Sequence, residues 1–214
     1  MEYIYLNPGN WFELKNISKD TTFPFDIETF KNEILNQVND RSEKLSFIDL
    51  SFGKKYHKTT ITNIEFYLDQ EKFTNMANMI SNESRHPIIT FHGTSKAAVE
   101  SILASGYIIP GQNSNVKNKH GTAFGIGIYS SPFFDKAVYY TIPDNDKNIY
   151  VLINIVMLGK MKLGNSFKSN DRPKNGTYSD GSNTNVVYGL DQLISADPTR
   201  IIPVAIMEIK INKN

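Results

Sequence analysis

Residues 91–140 read FHGTSKAAVESILASGYIIPGQNSNVKNKHGTAFGIGIYSSPFFDKAVYY. The apolar run Ile88 to Phe91 reads as a short strand that delivers His92 and Gly93. Thr94 or Ser95 caps a helix whose apolar face is Val99, Ile102 and Leu103, and Gly106 ends it. Tyr107 to Pro110 is extended. Gly111 to His120 is a polar surface loop, long enough for a lid or binding role. Gly125 and Gly127 form a turn into a strand that carries Tyr129. Ser131-Pro132 then opens a helix, with proline at its favoured first position and Phe134, Ala137 and Val138 on one face. No other part of the chain combines glycine, histidine and aromatic residues this densely, so this stretch is the candidate active site.

Working outward, Thr59 to Leu68 alternates as a strand does, and Asp69 caps a helix with Phe73, Met76, Ala77 and Ile80 on one face. Residues 1–55 read as a separate N-terminal extension. They contain Trp11, a helix capped at Asp26 with a Phe25–Phe30 staple, and a strand candidate from Ser46 to Phe52. No cluster of catalytic residue types occurs there, and a packing extension or partner surface is expected. Downstream, Asn148 to Leu158 is a nearly continuous apolar run, as a buried central strand requires. Gly159 to Thr184 is mostly loop, Val186 to Tyr188 a short strand, and Arg200 to Ile211 the last strand. Pro203 places the start of that strand at a sheet edge or a bulge. Helices and strands alternate irregularly, with strands clustering late, which predicts an α+β fold.

The chain has 214 residues, 40% hydrophobic, which suffices for one full-sized domain or a domain with a small appendage. Its 23 basic and 22 acidic residues leave a net charge of +1, so no global field drives it toward nucleic acid or an anionic membrane. It has no cysteine, which excludes disulfides, thiolate nucleophiles and cysteine-based metal sites. No apolar run approaches the ~20 residues of a membrane-spanning helix. No signal peptide is visible, and a cytoplasmic or nuclear protein is expected, with secretion as an effector also compatible.

The residue types narrow the chemistry. His92 is followed by Gly93, which lets a ligand approach the backbone, and by two hydroxyls at a helix start. A lone histidine at a strand end is more often structural, and these four residues alone do not decide between the two. Gly125-x-Gly127 lacks the third glycine of a dinucleotide fingerprint and precedes a strand, and no Gly-Lys-Ser/Thr follows it. Tyr129 and Tyr140 each suit a core, and together they suit two walls around a planar ring. His86, His92 and His120 show no metal-ligand spacing, so no metal is expected. The run Asp144 to Asp146 reads as a solvated turn.

Taken together, the order His-Gly-Thr-Ser, helix, Gly-Tyr, loop, Phe-Gly-x-Gly-Ile-Tyr-Ser-Ser, helix, Tyr resembles the catalytic domain of the poly(ADP-ribose) polymerases and their mono-ADP-ribosylating relatives. ITNIEFYLDQEKF (61–73), VLINIVMLGKM (151–161) and NVVYGLDQL (185–193) extend the likeness. The catalytic region would thus be residues 56–214. The resemblance implies the ADP-ribosyltransferase fold, two mixed or antiparallel sheets forming a cleft for NAD as co-substrate. It implies that His92 hydrogen-bonds the adenosine ribose, that the Gly93 backbone meets the nicotinamide carboxamide, and that Thr94 touches the ribose. Tyr129 would lie against the nicotinamide side and Tyr140 would stack on the ring. Ala123, in the donor loop around 110–123, and Ser131 complete the implied NAD contacts.

Two departures from the family pattern shape the functional expectation. Counted back from Val186-Val187-Tyr188, the third position of the His-Tyr-x signature is Thr184, where chain-elongating members have glutamate. A hydroxyl is no general base near neutral pH and does not stabilise developing positive charge as a carboxylate does. Ala137 stands where many members have a serine that bonds the nicotinamide amide. The expected catalytic set is therefore His92, Tyr129 and Thr184. The expected activity is transfer of one ADP-ribose to a protein or other macromolecular acceptor, with a catalytically silent NAD-binding or protein-interaction module as the alternative. RNA 2′-phosphotransfer on a related fold would need a basic cluster, for which Arg85, Lys117 and Lys119 are the only nearby candidates. An acidic side chain from elsewhere, such as Asp180, would restore catalytic power if it reached the ribose.

Overall fold

The computed structural model describes residues 59–67, 87–109, 124–164, 171–187 and 191–212, with isolated positions at 32, 48–49, 56–57, 71, 74–75 and 78. Apart from Asn32, which is helical and exposed, the expected helix after Phe25 lies outside the described residues, as do the apolar stripe after Asp69, Arg85, the loop 110–123 with Lys117, Lys119 and Ala123, and Tyr188. Of the helix after Asp69, Glu71, Thr74, Asn75 and Asn78 are helical and exposed. Their spacing is that of one polar helix face.

The strands are β1 (Ile48–Asp49), β2 (Tyr56–His57), β3 (Thr59–Phe66), β4 (Ile88–Thr94), β5 (Ile128–Ser130), β6 (Asn148–Val156), β7 (Met161–Gly164), β8 (Thr184–Val187), β9 (Leu193–Ser195) and β10 (Ile201–Ile211). The helices are α1 (Lys96–Ser105) and α2 (Phe134–Val138). The first sheet has the order β3-β10-β6-β4 and is antiparallel throughout. The second has the order β5-β9-β8-β7, with only β7 and β8 parallel. β1 and β2 form a separate antiparallel pair.

The apolar run predicted as a central strand is β6, and it lies between β10 and β4. Successive side chains of a strand point to opposite faces, so a continuous apolar run serves two layers. Ile149, Val151, Ile153 and Ile155 join Phe91, Phe134, Ala137 and Val138 in one core. Tyr150, Leu152 and Val156 join Ile88, Val99, Tyr107, Ile128, Val186 and Leu193 in the other, which fills the space between the sheets. Each fully buried aliphatic side chain contributes about 1.5–3 kcal/mol.

Two expectations shift by a few residues for identifiable reasons. β4 continues through Thr94, because Gly93 and Thr94 still pair with Val151 and Tyr150 of β6. His92 and Gly93 are thus strand residues, and Ser95 caps α1, its Oγ accepting from the Ala98 N–H at 3.4 Å. α2 starts at Phe134, two residues after Pro132. Ser131 cannot be helical because it exchanges backbone hydrogen bonds with Phe91, at 2.6 and 2.9 Å. Of the two settings expected for Pro203 the bulge is the one found, between Pro203 and Ala205, in a strand β10 that is interior.

Candidate active site

Among the described residues, one backbone bridge joins the two sheets. Phe91 of β4 and Ser131, just past β5, form an isolated antiparallel bridge. β4 ends the first sheet and β5 ends the second. Beyond the bridge the strands separate, and His92, Gly93, Tyr129, Ser131, Ala137 and Tyr140 lie around that fork. His92 is half-buried there, and its Nδ1 lies 2.6 Å from the Tyr129 carbonyl oxygen. A carbonyl only accepts, so Nδ1 carries a proton, and in the neutral form of the ring the acceptor lone pair is on Nε2. The Tyr107 ring stands at 87° to the imidazole, with centroids 5.4 Å apart.

Gly93 is required by packing. A Cβ at that position would fall 1.9 Å from the Ala137 carbonyl oxygen and 2.9 Å from Thr141 Cγ2. α2 therefore sits directly on the backbone of β4, and this is what brings Ala137 and Tyr140 to the fork. Ala137 is buried, and its neighbours Phe134 and Val138 anchor the helix in the core. Phe91 and Phe134 meet edge to face at 5.5 Å.

Tyr129 turns to the outer face of the second sheet, where it packs against the cluster of Tyr178, Val187, Ile194 and Ala196. Its hydroxyl donates to the Gly125 carbonyl at 2.6 Å and accepts from the Phe124 N–H at 3.2 Å. The glycine turn is thus stapled by the tyrosine it delivers. Burial, opposed in part by the Phe124 N–H and reinforced by nearby Tyr140, pushes the Tyr129 phenol up to about 12. It stays neutral at physiological pH. Tyr140 is half-exposed, and its hydroxyl accepts from Gln192 Nε2 at 3.4 Å. Its ring meets Tyr139 at 75° and 5.9 Å. One turn earlier on α2, Lys136 pairs with Asp191 at 3.0 Å. The helix is thereby joined to the β8–β9 connection through two neighbouring contacts. Gln192 was not among the expected site residues. Fifty-two positions separate it from Tyr140, and local pattern carries no signal over that span.

The remaining expected residues have other settings. Ser131 Oγ accepts from the Phe133 N–H at 2.9 Å, and its backbone forms the bridge to Phe91, so it works as a joint between the sheets. Thr94 is half-buried and pairs with Tyr150, over whose ring Lys96 lies at 5.8 Å. The Tyr150 hydroxyl donates to Asp144, which also accepts from the N–H groups of Asp146 and Asn148. The acidic run is therefore a turn held by its own first carboxylate.

Thr184 lies in β8 between β7 and β9 and is fully buried. Its hydroxyl donates to the Leu158 carbonyl at 2.7 Å. It shares a sheet face with Ser195 and Ile128, while Asn185, Ile194 and Tyr129 align on the other. Thr184 thus looks into the same inter-sheet layer as His92, and its one donor is committed to structure. Asp180 is exposed and paired with Lys162 at 2.7 Å. It also accepts from Ser182 N and Oγ at 3.0 and 2.6 Å. Lys162 sits on β7, the far edge strand of that sheet, so these bonds hold Asp180 away from the fork.

A fork between two four-stranded sheets, with a histidine on one strand and a tyrosine on its neighbour, agrees with the family comparison. The poly(ADP-ribose) polymerase catalytic domain matches residues 48–201, more than half of the chain. The chain belongs to that family, and its α+β architecture is the ADP-ribosyltransferase fold. Among curated proteins it is similar to the poly [ADP-ribose] polymerase tankyrase of Caenorhabditis elegans, with 30% identity over 118 residues. The match covers 55% of this chain and 5% of that much longer relative. Among the described residues, no helix is long and apolar enough to cross a membrane.

Proposed function

We propose that this chain is an NAD-dependent ADP-ribosyltransferase that transfers a single ADP-ribose unit to a macromolecular acceptor. The observation that carries the reading is the fork itself: His92 held through Nδ1 on the Tyr129 carbonyl, beside a glycine backbone and a half-exposed tyrosine ring. NAD, when bound, supplies the bond between ribose and nicotinamide whose cleavage frees the anomeric carbon for transfer. His92, in its Nδ1-protonated form, offers an acceptor to a ribose hydroxyl. The Gly93 backbone, beside His92 at the end of β4, would meet the nicotinamide carboxamide, while α2 fills the space its missing side chain leaves. Tyr140, tied to Gln192 at its hydroxyl, offers a ring face at a fixed height. Tyr129 remains a neutral phenol and holds the 124–125 turn closed beneath the site. These groups orient a substrate and exclude water, which lowers the barrier without a protein base.

Single transfer is favoured over chain growth by the third signature position. Elongation asks for a group that activates a sugar hydroxyl, and Thr184 is neither acidic nor exposed. The same observation favours a second reading, a silent module that binds NAD and transfers nothing. Incubation with labelled NAD, followed by intact-mass analysis of the protein and of lysate proteins, separates them. Adducts of one ADP-ribose that disappear in His92→Ala support the proposal. Ladders of adducts would argue for polymer synthesis, and NAD binding without any adduct would establish the silent module.

A further inference from the structure

α1 ends at Gly106, whose φ of 77° lets its N–H close on the Ile102 carbonyl while the chain turns sharply. The next residue, Tyr107, is thereby inserted between the sheets, where it is 6% exposed. Its hydroxyl donates to Asn154 Oδ1 at 2.7 Å, and its ring stands at 87° to His92. Asn154 is fully buried on β6 and pairs in register with Thr90, two residues before His92. The surrounding layer is mostly aliphatic, with Ile88, Ile109, Leu152 and Val156 among its members. An aliphatic residue would fill the same volume. The tyrosine–asparagine pair instead leaves Asn154 Nδ2 and Thr90 Oγ1 buried without hydrogen-bond partners. A polar pair in an apolar layer is a costly way to fill space. What it adds is a flat ring pinned at both ends, by the helix cap and by the amide.

We infer that Tyr107 is a positioning residue for His92: anchored to Asn154, its ring holds the imidazole so that Nδ1 stays on the Tyr129 carbonyl and Nε2 faces the ribose of bound NAD. The inference rests on the NAD reading for its last clause only. A perpendicular aromatic neighbour restricts rotation about the histidine ring bond, and a carbonyl on one nitrogen selects the tautomer. Burial keeps the Tyr107 phenol protonated, so the anchor does not switch near neutral pH.

The test uses the full chain, with Tyr107→Leu removing ring and anchor and Tyr107→Phe removing the anchor alone. Long-range proton–nitrogen NMR on the labelled protein reads the two nitrogens of His92, and calorimetry reads NAD affinity. Wild type should show one tautomer, protonated at Nδ1. Tyr107→Leu should show both tautomers and bind NAD about tenfold more weakly, with Tyr107→Phe intermediate. A folded Tyr107→Leu protein with wild-type nitrogen shifts and affinity would overturn the inference. If that variant does not fold, Tyr107→Phe decides alone, and unchanged shifts and affinity there overturn it equally. Should wild type bind no NAD, the functional reading fails, and the nitrogen shifts still decide whether Tyr107 positions His92.

Discussion

The end of β4 and the start of β8 each carry one member of the expected signature, and the fold treats them oppositely. β4 is the last strand of its sheet, and past the Phe91–Ser131 bridge it has no continuous neighbour on that side among the described residues. His92 and Gly93 therefore keep backbone and ring near an opening. β8 has a neighbour on each side, and Thr184 is sealed with its hydroxyl on Leu158. A strand at a sheet end can serve a ligand, whereas an interior strand spends its polar groups on its neighbours. On the proposed reading, His92 and Gly93 would serve NAD, while Thr184, buried and committed to Leu158, would bring no acid–base group.

The sharpest way to break the contrast is to restore the missing carboxylate. Thr184→Glu places an ionisable group in a fully buried site and deprives Leu158 of its donor. A loss of about 3–5 kcal/mol is expected, read as a large drop in the urea midpoint. A stable variant that builds ADP-ribose chains would show the two strand positions to be equally open. Next in size is Gly93→Ala, whose methyl would meet the Ala137 carbonyl at 1.9 Å. Displacing α2 should cost about 1–3 kcal/mol and abolish NAD binding, checked by unfolding and calorimetry together.

Tyr129→Phe tests the staple beneath the fork. It leaves the Phe124 N–H and Gly125 carbonyl without the phenol and should cost about 1 kcal/mol. Burial raises the folded-state value to about 12 from an ordinary 10. The associated stability is fully present below pH 10 and is lost as pH rises through 12, so the variant should lack that alkaline loss in pH-dependent unfolding. The smallest effect belongs to Asp180→Asn. Partial burial opposes ionisation, but Lys162 and Ser182 outweigh it and hold the carboxyl at about 2. Its stabilising share is complete above about pH 4 and fades as pH falls toward 2. The pair is well exposed, so the loss at neutral pH should stay under about 1 kcal/mol, with transfer activity unchanged.

The first sheet was largely legible in the sequence: the run from Asn148 suited a strand buried on both faces, and it is β6. The second was less so: the glycine turn before Tyr129 pointed to the start of β5, but β7 lies in a stretch read as loop and β9 was not anticipated. The edges were less legible. Periodicity ended β4 before His92, because the pairing of Gly93 and Thr94 depends on β6, more than fifty residues later. The helix expected at Pro132 was displaced by a bridge to Phe91 that no local rule contains. Gln192 and Tyr107 were missed as site neighbours for the same reason.

The sequence by itself determined the fold class, the family and part of the set of residues around the fork, because each depends on local periodicity, turn chemistry and the order of a short motif. It also determined that Thr184 brings no carboxylate. Only the tertiary structure decided which side chains point where: His92 toward the inter-sheet layer, Tyr129 to the opposite face, Thr184 onto Leu158 and Asp180 onto Lys162. Side-chain direction in a sheet follows from register, and register joins residues far apart in the chain.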